Sequence, residues 1–138
     1  MATVKDTTSL GDLAEFEIAT ALMRTGRRIL RPLSGGLRYD LAIDNGDGTV
    51  MRVQCKTGNL KDGVIRFRVS NSDARRPRGV PYRGQIEAFG VYCPQNGRAY
   101  LIPMDAVVMN AQTAGLRLAP ARNGQQRRVR FADSLQIG

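Results

Sequence analysis

The sequence contains no histidine and no tryptophan, only two cysteines, and three lysines against 18 arginines. The missing histidine excludes nucleases with a histidine general base, Ser-His-Asp hydrolases and histidine-ligated zinc sites. Cys55 and Cys93 are too few for a zinc cage or a disulfide framework, which points to a reducing compartment. No apolar run approaches the ~18 residues that would span a bilayer. The N-terminus, MATVKDTTSL, shows no cationic stretch followed by an apolar one. The expected setting is therefore soluble and cytoplasmic, with no membrane partner.

What is present is positive charge. The 138 residues carry 21 Lys or Arg against 12 Asp or Glu, a formal net charge of +9. Such a field attracts polyanions and speeds encounter with them. Arginine also makes forked contacts with phosphates and base edges that lysine cannot. A GC-rich genome would explain the arginine bias, but not the surplus of charge. Clusters fall at Arg24, Arg27, Arg28 and Arg31; at Arg75, Arg76, Arg78 and Arg83; and at Arg127, Arg128 and Arg130. The second and third flank no obvious element and are the expected DNA contacts.

Apolar residues make up 42% of the chain, enough for a core at this length. The expected organisation is a single domain over 1–138, with a core at about 9–110 and a basic extension at 115–138. Ser9 followed by Asp12 reads as a capping box, so a helix should start near Leu10 and close at Gly26. Leu10, Ala14, Ile18 and Ala21 form its apolar stripe, flanked by Leu13 and Leu22. Strands are expected at Ile29-Leu30, Tyr39 to Ile43, Val50 to Lys56, Val64 to Val69, Ala88 to Cys93 and Arg98 to Ile102. Asp44-Asn45-Gly46-Asp47-Gly48 should turn the second strand into the third. Residues 57–63 read as a loop. Residues 70–85 read as a mobile basic element, and Met104 to Asn110 as a short helix. This order implies an α/β domain with a mixed central β-sheet flanked by helices.

The second and third strands carry the chemistry. Alternation places Arg52, Gln54 and Lys56 on one face and Met51, Val53 and Cys55 on the other. If the turn centres on Asp47, Asp40 lies opposite Gln54, and a carboxylate, an amide and an ammonium share one face. Plainer readings exist: Asp40 as a strand-end cap, Lys56 as an edge-strand lysine that discourages aggregation, Gln54 as a solvated polar residue. On the helix, the periodicity points to Glu17 rather than Glu15 as the inward carboxylate. Cys55 and Cys93 read as small core residues.

Gly11-Asp12-Leu13-Ala14-Glu15, Tyr39-Asp40-Leu41 and Val53-Gln54-Cys55-Lys56-Thr57, taken in order, resemble the PD-(D/E)XK nuclease superfamily. The likeness is greatest to a small branch with Gln-x-Lys in place of Asp/Glu-x-Lys, which includes the cyanobacterial group I intron homing endonuclease. Tyr82 to Phe89 and Tyr100 to Asp105 resemble that branch too, so the likeness spans about residues 9–105. It implies a restriction-endonuclease-like core and a metal-dependent DNA endonuclease using Mg²⁺, with Mn²⁺ as substitute. By resemblance, Asp40 is the central carboxylate, Gln54 an amide ligand, Lys56 the residue that orients water, and Glu15 the helix carboxylate completing the metal site. Tyr39 stands where the superfamily has proline, and Gln54 removes one negative charge from the site.

The expected reaction is phosphodiester hydrolysis at a specific site, of homing or restriction type. A Holliday junction resolvase-like enzyme and a non-catalytic DNA-binding module derived from a nuclease are the alternatives. One site cuts one strand, so a homodimer or a larger symmetric oligomer is expected.

Overall fold

In the computed structural model, the described residues are 6–69, 84–107, 112–118, 130–131 and 135–138. Helix α1 (Thr7–Arg24) is capped one turn earlier than expected. The Asp6 side chain accepts the Ser9 N–H at 2.9 Å, so Ser9 lies inside the helix rather than at its cap. Gly26, at φ 90°, closes it as expected, donating its N–H to the Met23 carbonyl at 2.9 Å. Ala14, Ile18 and Leu22 are its buried residues. This i, i+4, i+8 stripe is centred on Ile18. At about 100° per residue, Glu15 then lies about 60° from the centre and Glu17 about 100°.

Strands β1 (Arg28–Leu30), β2 (Leu41–Asp44) and β3 (Val50–Thr57) form an antiparallel meander. The β2–β3 turn is built as its residues predict. Gly46 and Gly48 adopt φ 79° and 91°, where a Cβ would be strained. The Asp44 and Asp47 carboxylates accept the N–H groups of Gly46 and Thr49, each at 2.9 Å. β3 then pairs in parallel with β6 (Ala88–Cys93), which pairs antiparallel with β7 (Arg98–Pro103). The result is a mixed five-stranded sheet in the order β1-β2-β3-β6-β7.

The chain between β3 and β6 leaves this sheet and starts another. β4 (Asn59–Lys61) occupies part of the segment expected as a loop, and β5 (Val64–Arg68) follows it. β8 (Thr113–Arg117) runs into the start of the expected basic extension, and β9 (Arg130–Phe131) joins it, giving a second sheet in the order β4-β5-β8-β9. Gly58 sits at the passage from one sheet to the other. A Cβ there would lie 2.6 Å from the Ile65 side chain and 2.9 Å from Val91, so only glycine fits. The expected helix from Met104 is a short 3₁₀ turn, Met104–Ala106; residues 108–110 lie outside the described residues.

The five-stranded sheet therefore has two different faces. α1 covers one, packing Ala14, Ile18 and Leu22 on Leu41, Ile43, Val53, Ala88 and Ala99. The second sheet covers the other, with Ile65, Phe67 and Leu116 against Phe89, Val91 and Ile102. The Phe67 and Phe89 rings meet at 5.6 Å, tilted by 58°. α1 approaches closely because β6 carries Gly90, where a Cβ would stand 2.8 Å from the Ile18 side chain. Among the described residues, no helix is long and apolar enough to cross a membrane.

Candidate functional site

The site lies where β2 parts from β3. Leu41 opposes Val53, but the N–H of Asp40 also goes to the Val53 carbonyl, at 2.9 Å. Two residues thus face one, an arrangement that re-aims a side chain. This corrects the expectation that Asp40 lies opposite Gln54 on a shared face. The Asp40 side chain turns into the edge of β3, and its Oδ2 accepts the Cys55 N–H at 2.8 Å. The carboxylate so replaces the ladder partner that Cys55 loses where β2 begins.

Gln54 and Lys56 do share a face, as alternation requires. They stand beside Phe89 and Val91 in the parallel register, on the side covered by the second sheet. Cys55 points the other way and packs with the α1 cluster. Asp40 is thus at the open edge between the two faces, and charges from both sides act on it: Lys56, and Arg31 from the segment between β1 and β2.

Glu15 reaches the same edge from α1. It is partly buried, whereas Glu17 is exposed. Asp12, Glu15, Phe16, Arg31, Asp40 and Leu41 line one cleft. Arg31 stands 4.0 Å from Glu15 Oε1, and its guanidinium lies 5.5 Å from the centre of the Phe16 ring. Arg31 and Asp12 were not singled out as site residues from sequence; the signal for Arg31 was its place in the first basic cluster.

Burial raises both carboxyls above their usual range. For Asp40 it outweighs the Cys55 hydrogen bond and the positive charges of Lys56 and Arg31. For Glu15 the negative charge of Asp40 adds to burial, and Arg31 only partly offsets it. Burial and the same two carboxylates push the Cys55 thiol up as well, which makes it an inert core residue.

Two half-buried carboxylates, with the charge of Asp40 disfavouring that of Glu15, are a donor set for a hard divalent cation. Among the described residues, no group of three or more His, Cys, Asp or Glu could by itself hold a metal ion. The set present fits a cation that keeps several water ligands, as Mg²⁺ does.

Glu87, within the Tyr82 to Phe89 segment that resembles the branch, is occupied elsewhere. It accepts Arg52 Nη2 at 2.6 Å, Arg52 Nε at 2.9 Å and the Arg52 backbone N–H at 3.0 Å, which ties the start of β6 to β3. Of the expected DNA contacts, Arg75, Arg76, Arg78, Arg83, Arg127 and Arg128 lie outside the described residues. Only the backbone of Arg130 is described, in β9.

Residues 5–137 match the sequence family described as PD-(D/E)XK endonuclease. The structure is similar to that of a bacterial homing endonuclease, I-Ssp6803I, with a TM-score of 0.67 and 20% sequence identity. The match covers 97% of this chain and 88% of that one. The expected α/β, restriction-endonuclease-like fold is the one observed, with a second sheet in place of a helix on one flank. None of the curated proteins matches the chain.

Proposed function

The chain belongs to the PD-(D/E)XK endonuclease family, and on that premise we propose that it is a Mg²⁺-dependent DNA endonuclease, with Mn²⁺ as substitute, that cuts at specific sites. The observation that carries this reading is the seat of Asp40. A half-buried carboxylate is fixed by the Cys55 N–H at the sheet edge, with Glu15 and Lys56 near enough for their charges to couple to it.

In this reading Asp40 and Glu15 would hold the metal from the cleft, and Gln54, on the adjoining face of β3, would have to reach round the open edge to add an amide oxygen. When bound, Mg²⁺ supplies positive charge at the phosphate and acidifies a water ligand. The Cys55 N–H fixes the Asp40 carboxylate before substrate arrives, so little reorganisation is needed. Lys56 orients the attacking water and offsets negative charge gathering on the phosphate. Gln54 carries no charge where relatives carry a carboxylate, so metal binding is weaker than theirs. Arg75, Arg76, Arg78, Arg83, Arg127, Arg128 and Arg130 contact the DNA beyond the scissile phosphate, and cutting both strands requires a second copy of the chain.

The test is cleavage by the purified protein, with Mg²⁺ or Mn²⁺, of duplex, four-way-junction and single-stranded DNA. Cutting of particular duplex sequences is expected. Preference for junctions whatever their sequence would replace site specificity by structure specificity. Failure on all three substrates would overturn the enzymatic reading.

A further inference from the structure

Arg31 has no part in the activity just described, yet it stands inside the site. It lines the cleft with Glu15 and Asp40, and its charge bears on both carboxylates. Among the described residues its ion-pair partner is Glu15, whose Oε1 is 4.0 Å away, and its side chain is 67% exposed. An ion pair so open to water is weak and easily exchanged. What keeps the guanidinium at the mouth of the cleft is the face of Phe16, at 5.5 Å. Phe16 is itself 61% exposed, so burial does not account for a phenyl ring at that position.

We propose that Arg31 is a displaceable counter-ion. It balances Glu15 and Asp40 while no divalent cation is bound, and it passes to a substrate phosphate when one binds. A guanidinium suits both roles, because its forked donors match carboxylate and phosphate oxygens alike. The consequence is coupling. A cation must compete with Arg31 in the free protein, but not once DNA phosphate has drawn Arg31 away. Metal and DNA therefore bind cooperatively, each strengthening the other by the same factor. Premature loading of the site is held back until substrate is present.

The inference rests on reading Glu15 and Asp40 as the metal-binding carboxylates, and the experiment separates the two. Ca²⁺ is titrated calorimetrically into wild type, Arg31→Gln, Arg31→Lys, Arg28→Gln and Asp40→Asn. Each titration is run with and without a short duplex that is recovered intact. Without DNA, Arg31→Gln should bind Ca²⁺ about fivefold more tightly than wild type, the scale of one nearby charge in a wet site. With DNA that gap should close, and Arg31→Lys, which keeps the charge but loses the fork, should lie between wild type and Arg31→Gln. Arg28→Gln removes the same charge from β1 but not from the cleft, and should change affinity far less. Equal behaviour of Arg31→Gln and Arg28→Gln, or a gap that DNA leaves unchanged, would overturn the proposal. Ca²⁺ binding that survives Asp40→Asn intact would overturn the metal-site reading itself, and the counter-ion with it.

Discussion

Gly90→Ala places a methyl group into the contact between α1 and the central sheet. Gly90 does not have a positive φ, so alanine can adopt its backbone conformation and the effect is steric. The new Cβ would stand 2.8 Å from Ile18 Cγ2, 3.4 Å from Ile18 Cδ1 and 3.2 Å from Val53 Cγ1. Ile18 and Val53 are both fully buried and β-branched, so neither can swing aside cheaply. The helix must move instead. Such overpacking costs about 1–3 kcal/mol, which for a chain of 138 residues lowers Tm by about 4–10 °C. Displacing α1 also displaces Glu15, so DNA cleavage should fall even at temperatures where the variant is folded. Thermal and urea melts followed by circular dichroism give the stability. A double-mutant cycle with Ile18→Ala isolates the contact. Ile18→Ala alone opens a cavity and costs about 2–5 kcal/mol, but in the Gly90→Ala background it should cost at least ~0.5 kcal/mol less. A variant as stable as wild type, or strict additivity in the cycle, would refute the claim that Gly90 sets the helix-to-sheet distance.

Asp40→Asn keeps an acceptor for the Cys55 N–H but removes the half-buried charge; plasmid assays should show cleavage lower by at least about a hundredfold, while melts show the metal-free protein at pH 7 no less stable than wild type. The pH dependence of urea melts should carry opposite signatures from two sites. The raised carboxyls of Asp40 and Glu15 contribute stability that is fully present below the ordinary values of 3.8 and 4.5 and is lost as pH rises through their folded values; Asp40→Asn should flatten that loss. Glu87, held below the ordinary 4.5 by Arg52, contributes stability present above that value and lost as pH falls through its folded one. Being partly exposed, the pair contributes only about 1 kcal/mol, which Glu87→Gln should remove at pH 7. Cys55, raised by burial, should resist alkylation in the native protein at pH 8 and react on unfolding, as followed by mass spectrometry.

The elements legible in the sequence are those whose signals are local. The Asp44–Gly48 turn carries its own hydrogen bonds, Gly26 ends α1 by its own backbone conformation, and β3, β5, β6 and β7 fall within a residue or so of their expected bounds. β4 and β8 were missed because Asn59–Lys61 and Thr113–Arg117 have little strand patterning. β8 takes its conformation from pairing with β5, a contact between distant parts of the chain, whereas β4 is folded straight back onto β5 by the two-residue turn Asp62-Gly63, with φ of 53° and 75°. Likewise Asp6, not Ser9, caps α1, since either side chain suits the position and local chemistry does not choose between them.

At the site, alternation correctly put Gln54 and Lys56 on one face but misplaced Asp40, because a period of two assumes an unbroken pleat and the doubled pairing on Val53 breaks it. The choice between Glu15 and Glu17 turned on the centre of the apolar stripe. Counting Leu10 and Ala21 pulled that centre away from Ile18; with Ala14, Ile18 and Leu22 as the buried set it favours Glu15. Arg31 was invisible as a site residue because nothing in the sequence says that the segment after β1 returns beside Glu15 and Asp40.

In the proposed reading, Asp40 and Lys56 together run a DNA-cleaving site. Its most direct test is the nicking of a supercoiled plasmid library of genomic fragments, with Mg²⁺ and with Mn²⁺, by wild type, Asp40→Ala and Lys56→Ala, each shown to be folded. Nicked and linear products are expected from wild type and none from either variant. Equal cleavage by all three proteins would contradict that reading.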